Sequence, residues 1–304
     1  MLQCRPLSNL KHDLEVMSNQ KVLLAVFAHP DDESFGPGGT LARYAAEGVQ
    51  VHYLCATRGD VGEVDAAMLT QNGHASTADL RTNELLCAAG ILGLAGVEFL
   101  NYRDSGMSGS PENQHPESLY QADRVKLAGQ VTEAIRRLQP QVVMTFDPFG
   151  GYGHPDHIAC HYATLSAFFA APDPRRFPAQ LAAGLQPYRP AKLYYSTFDR
   201  RLLRWLVGLM PLVGRDPTAI GTNKDINLTE IAQFDVPITT RVDVSRYLET
   251  KQLASACHAS QGGGGGIWKN IPRPLRQRLL GNETFTRVYP VSGPAIERDL
   301  FAGI

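Results

Sequence analysis

The chain has 304 residues, room for one large α/β domain or two modest ones. Hydrophobic residues make up 43% and charged residues 19%, and 29 Lys plus Arg against 30 Asp plus Glu leave a net charge of −1, so neither nucleic acid nor a charged membrane surface is an expected partner. There is no run of about eighteen apolar residues, so no transmembrane helix is expected.

Residues 1–20 carry Arg5, Lys11, His12, Asp13 and Glu15 without an apolar core. They read as an N-terminal extension, not a secretory signal, and the chain reads as cytoplasmic. The five cysteines, Cys4, Cys55, Cys87, Cys160 and Cys257, are odd in number, far apart and free of any CxxC pair. Reduced, mostly buried thiols are expected.

Residues 21–27 (KVLLAVF) form a short apolar run that reads as a buried parallel strand. A helix follows over 38–48, with Leu41, Tyr44 and Ala45 on one face, and then a strand over 49–56. Next come a helix over 79–94, a short strand over 97–100 and a helix over 123–138 closed by Pro140. A strand over 141–146 and a helix over 154–169 complete the series. This alternation predicts an α/β fold: a Rossmann-like, mostly parallel sheet with helices on both faces. Residues 21–171 form its catalytic core. The Pro-rich stretch 172–235, with a strand candidate at 192–198 and a helix candidate at 201–212, reads as a lid-like insertion shaping the substrate pocket. A strand over 236–244, a helix over 245–260 and a flexible Gly262–Gly266 loop belong to a C-terminal segment, 236–304, of the same domain.

Ligands of such sheets bind beyond the carboxyl ends of the strands. Both of the richest polar clusters sit there: Ala28-His29-Pro30-Asp31-Asp32-Glu33, and Asp147–His157, which ends in Gly151-Tyr152-Gly153-His154-Pro155-Asp156-His157. Taken singly, each string could be a plain helix or turn start. Taken together, they can assemble a metal site in which His29, Asp32 and His157 supply two imidazoles and a carboxylate and leave positions open, as a catalytic zinc ion requires. Asp31 is then a spare carboxylate placed to act as general base. His154 is a spare imidazole that could be protonated, polarise an amide oxygen, or donate to a leaving amine. Gly36-Pro37-Gly38-Gly39 lacks the spacing of a phosphate loop and reads as a tight turn letting the backbone pass the metal.

These residues carry a resemblance. Ala28–Glu33 with Gly153–His157 resembles the two signature motifs of the PIG-L/LmbE-like N-acetylglucosaminyl deacetylase family. The resemblance implies one Zn2+ per chain held by His29, Asp32 and His157, with Asp31 as base. It further implies His154 as the charged partner of the tetrahedral intermediate, Tyr152 as a second polarising group, and Asp156 as the residue that orients a histidine. Arg81-Thr82-Asn83-Glu84 and Tyr102-Arg103-Asp104-Ser105-Gly106-Met107 resemble family segments that imply Arg81 and Asp104 as sugar-binding residues. His258-Ala259-Ser260-Gln261 resembles a C-terminal string near the pocket, which adds His258. The 103–107 string and the chain length look more like the mycothiol branch than the bacillithiol branch.

The expected function is hydrolysis of the N-acetyl amide of a small-molecule N-acetylglucosaminide, releasing acetate and an amine. An amidase acting on a thiol–sugar conjugate is a near alternative. Two histidines and one carboxylate also describe a non-haem iron site, so Fe2+ or another divalent ion stays open. A sugar-binding or scaffold protein with a structural metal would need a fourth protein ligand, and only three good candidates stand out. Homo-oligomerisation stays open.

Overall fold

The structure, a computed structural model, describes residues 20–220, 226–264, 272–291, 293 and 295–304. The N-terminal extension, apart from Gln20, and two glycines of the Gly262–Gly266 loop lie outside the described residues. A seven-stranded sheet forms the centre, in the order β3-β2-β1-β4-β5-β7-β6. Its strands are β1 (Val22–Phe27), β2 (Gln50–Thr57), β3 (Gly96–Tyr102), β4 (Val142–Phe146), β5 (Lys192–Thr197), β6 (Thr240–Asp243) and β7 (Asn282–Tyr289). The first five are parallel to one another, and β7 runs antiparallel to both β5 and β6.

The apolar runs explain the centre. Leu23 to Phe27 and Val142 to Met144 are no more than 1% exposed, as expected of strands covered on both faces. The covering helices are α1 (Gly38–Ala46), α2 (Thr77–Leu92), α3 (Arg124–Leu138), α4 (Pro155–Ala170) and α6 (Leu248–Cys257), while α5 (Arg201–Leu209) packs on the short helix Leu228–Gln233. Helices α3 and α4 pack together on β1 and β4, while α1, α2 and α6 form a second group. Local chemistry sets the helix starts. Ser76 Oγ accepts from Asp79 N at 3.1 Å ahead of α2, and Asp123 Oδ1 accepts from Val125 N and Lys126 N ahead of α3. Among the described residues no helix is long and apolar enough to cross a membrane.

The chain winds outward from β1 to β3 and returns to β4 on the other side of β1. The β1/β4 boundary is therefore the topological switch point, where a crevice opens beyond the strand ends. His29 follows β1 and the Gly151–His157 string follows β4, so the topology alone brings both clusters to one place.

Within the stretch 172–235, residues 192–197 form β5 and residues 192–196 pair with β4, so that stretch contributes an interior strand. Two expectations are corrected. The thiols of Cys87 and Cys257 are not free: α2 packs on α6, brings their Cα atoms to 6.0 Å, and a disulfide joins them. Cys55 and Cys160 are free and buried, as expected. Finally, Gly39 serves the sheet and not a metal. A Cβ there would meet Val244 Cβ at 2.8 Å, and Glu283 takes the Gly39 and Thr40 N–H groups at 3.0 and 2.7 Å. Glu283 thus occupies the anion-seeking start of α1, which leaves no room there for a phosphate.

Candidate active site

His29 is 5% exposed and faces both clusters. Its Nδ1 lies 3.1 Å from His157 Nε2 and 3.7 Å from Asp32 Oδ2, and His157 Nε2 lies 3.4 Å from Asp32 Oδ1. Donor atoms at 2.0–2.2 Å from one tetrahedral ion would stand roughly 3.4 Å apart, so these three fit a divalent ion. The remaining ring atoms agree. His29 Nε2 is 3.2 Å from Asp156 Oδ2, and His157 Nδ1 is 3.0 Å from the Gly150 carbonyl. Each outer nitrogen thus donates to an oxygen, which fixes the tautomer and turns the inner lone pair toward the centre. Asp156 is fully buried and also accepts from Ser105 N at 2.9 Å, which fixes the carboxylate that meets His29.

His154 forms a second donor group with the same two histidines, their ring nitrogens lying within 4.8 Å of one another. Its Nδ1 accepts from Asp156 N at 3.2 Å and caps α4, so a neutral ring carries its proton on Nε2. Burial, then His29 and His157, hold its pKa well below the ordinary value. With its proton on Nε2, a neutral His154 can still donate toward the centre. Tyr152 stands on the rim, 39% exposed, with its ring 4.9 Å from that of His157.

The carboxylates make the centre short of positive charge. Burial pushes Asp31 up to about 7 against the pull of Arg81, and Asp32 up to about 6 against that of His29. His29 itself is lifted well above its ordinary value, because Asp104 and Asp156 outweigh its burial. A divalent cation would relieve all three groups, since a bound ion is the largest local charge in such a site.

Asp31 and Asp32 are neighbours with different surroundings. Asp32 Oδ2 turns back to Ala28 N and His29 N at 3.2 and 2.8 Å. Asp31 has φ 130° and ψ −27°, a conformation that costs a non-glycine residue on the order of 1–3 kcal/mol. Its Oδ2 accepts from Arg81 Nη2 at 3.1 Å.

The expected sugar-binding residues are placed differently from one another. Arg81 is 3% exposed and donates to Pro30 O, Gly59 O and Asp31 Oδ2, while its buried Nε has no partner. Gly59, at φ 64°, has no side chain because the guanidinium fills that space. Asp104 is close to the centre: its Oδ1 is 3.6 Å from His29 Nε2 and accepts from Gly106 N at 2.8 Å. His258 is fully buried with Nε2 2.6 Å from Glu33 Oε1, so it faces Glu33 and not a substrate.

Two supporting residues had no assigned role. Asp147, directly after β4, accepts from Phe149 N and Gly151 N at 3.0 Å and pairs with buried Arg200 at 2.7 Å. Arg200 also reaches the Gly151 carbonyl, so this pair shapes the turn that presents Tyr152 and His154. The polar string held Asp147 in view. Nothing in the sequence pointed to Arg200, 53 positions away.

Comparison with known proteins agrees with this geometry. Residues 24–168 match the PIG-L family, described as GlcNAc-PI de-N-acetylase. A 1D-myo-inositol 2-acetamido-2-deoxy-alpha-D-glucopyranoside deacetylase of Thermobifida fusca is 38% identical, over 93% of this chain and 100% of its own length. A deacetylase of the same description from Thermobispora bispora is 35% identical, over 95% and 100%. N,N'-diacetylchitobiose deacetylase from Pyrococcus horikoshii shares the fold, with a TM-score of 0.61 over 95% of each chain at 21% identity. With both signature strings seated at the switch point of the sheet and full-length relatives at this level of identity, the chain belongs to the PIG-L family of de-N-acetylases.

Proposed function

We propose that the chain is a Zn2+-dependent deacetylase acting on N-acetylglucosamine linked to a small polar aglycone, with inositol as that aglycone. The orientation of His29 carries this reading. One ring nitrogen is committed to Asp156 and the other faces His157 and Asp32, which leaves a three-donor site with open positions beside a separate carboxylate, Asp31. The names of the relatives support the choice of sugar and of inositol.

His29, Asp32 and His157 would hold the ion. When bound, it supplies Lewis acidity, polarising the amide carbonyl and making water a stronger acid. Asp31 takes the proton of the attacking water as a carbon–oxygen bond forms at the acetyl carbon. His154, as a neutral donor, and the Tyr152 hydroxyl stabilise the charge on the acetyl oxygen. The proton held by Asp31 passes to the nitrogen as the carbon–nitrogen bond breaks, and acetate and a free amine leave. Arg81 keeps the Asp31 carboxylate in place, and Asp104 receives sugar hydroxyls.

The test is a panel of N-acetylglucosaminides that differ in aglycone, including the inositol glycoside and N,N'-diacetylchitobiose. Equal amounts of amine and acetate are expected, fastest from the inositol glycoside, with loss on chelation and recovery on adding Zn2+. No amine from any member of the panel would sink the reading.

Asp104 gives a narrower prediction. A charge-assisted hydrogen bond contributes about 1.5–3 kcal/mol, so Asp104→Ala is expected to lower kcat/KM by about ten- to a hundredfold, mostly through KM. Metal content should stay at the wild-type level, because Asp156 still orients His29. Loss of the ion in this variant would move Asp104 among the ligands.

A further inference from the structure

Glu33 lies next to Asp32, yet its side chain points away from the centre. It is fully buried, as is His258, and the two meet at 2.6 Å between Oε1 and Nε2. The other Glu33 oxygen, Oε2, accepts the backbone N–H of Asp31 at 3.0 Å. An otherwise isolated buried carboxylate thus bridges a histidine on the far side of the chain to the one residue near the centre with a left-handed, non-glycine backbone.

We propose that Glu33 and His258 form a positioning pair that holds Asp31 in its unusual conformation and so separates its task from that of Asp32. On ordinary helical backbone adjacent side chains stand about 100° apart, and the positive φ of Asp31 replaces that separation with another. Here the chain is pinned on three sides. Glu33 takes the Asp31 N–H. Arg81 takes the Pro30 carbonyl at 2.7 Å, and Ser34 N and Phe35 N take the Asp31 carbonyl at 3.1 and 2.9 Å. Residues held in sparsely populated backbone regions persist when their surroundings over-determine them. The result is visible in the side chains: Asp32 folds back toward β1 and His157, while Asp31 meets Arg81.

His258 is itself anchored. It ends α6 directly after Cys257, whose disulfide ties α6 to α2. Its carbonyl accepts from Gln261 N and Gly263 N. Helix α2 carries both Arg81 and Cys87, and its Glu84 accepts from Ser260 N at 2.8 Å and Ser260 Oγ at 2.6 Å. The two contacts that fix Asp31, through Glu33 and through Arg81, therefore come from two helices that are stapled to each other. Neither Glu33 nor His258 reaches the ligand atoms, so they act through Asp31 and not on substrate.

This inference rests on Asp31 being the base, so its test reads Asp31 directly as well as through turnover. Glu33→Ala is expected to let residue 31 relax out of its positive φ and leave Arg81 in a crystal structure, with His29, Asp32 and His157 unmoved and full metal content. Turnover should fall about ten- to a hundredfold, the scale of a misplaced reacting group, with KM within about threefold. Glu33→Gln can still accept the Asp31 N–H and bond His258, and should recover most of the turnover. Glu33→Met/His258→Leu removes the pair without stranding a buried charge, so it should keep its melting temperature and show the same loss. An unchanged Asp31 conformation in Glu33→Ala or in the double variant overturns the proposal. So does a relaxed Asp31 with undiminished turnover. If the wild-type protein releases no amine, the reading of function has failed, and the crystallographic comparison alone decides the clamp.

Discussion

Asp31→Asn is expected to keep its metal and its melting temperature and to lose turnover by about a hundredfold or more, the usual scale for a lost general base. The asparagine has the size of the aspartate and can still accept from Arg81 Nη2, so the substitution removes basicity and little else. Burial raises the Asp31 carboxyl against the pull of Arg81, and a bound cation draws it back down. The base works deprotonated, so wild-type turnover should climb as pH rises through its pKa and fall away below it, and the variant should lose that acidic limb. A competing role for Asp31 is to cap the short helical turn Asp32–Phe35. Its side chain makes no capping hydrogen bond, so no loss of stability is expected on that account. Turnover and metal content should be measured on one preparation with the melting temperature. Near-normal turnover with the ion intact would end the mechanism and make His154 the leading base.

What the sequence disclosed follows from the range of the interactions involved. Strand β1 is legible because VLLAVF is covered on both faces, and a fully covered strand reads as an unbroken apolar run. His29 and Asp32 closely follow the end of β1, and His157 stands in the polar string that follows β4, so all three come from segments beyond strand ends, where a parallel sheet binds its ligands. Strand β7, NETFTRVY, was missed. It pairs antiparallel beside an edge strand, is only partly covered, and shows no clean run. The disulfide joins residues 170 positions apart, and spacing alone cannot reveal that α2 and α6 pack together. The same limit explains His258, whose partner Glu33 is 225 positions away. Arg81 teaches a related point. A motif identifies the residue but not the direction of a long side chain, and the contacts of this guanidinium with Asp31 and the Pro30 carbonyl were not legible in it.

His157→Ala should strip the protein of its ion, from about one per chain to a small fraction of that, with activity falling to background. His157 is central to both donor groups. Its Nε2 faces His29 and Asp32, and its ring lies in the cluster with His154. The ring also stacks on Phe146 with centroids 3.8 Å apart, so truncation leaves a gap beside the core. His157→Gln fills more of that gap while still removing the imidazole, and comparison of the two separates lost ligation from lost packing. Two further variants choose between the donor groups. Asp32→Asn keeps an oxygen for the Ala28 and His29 N–H groups but replaces a carboxylate with a poor ligand, and it should lose the ion. On the proposed mechanism, in which that ring donates to the acetyl oxygen, His154→Ala should retain the ion and lose turnover. The opposite pattern, with the ion gone from His154→Ala and kept in Asp32→Asn, would make the site a three-histidine one. Asp32 would then be a free carboxylate beside Asp31, and either of the two could serve as the base.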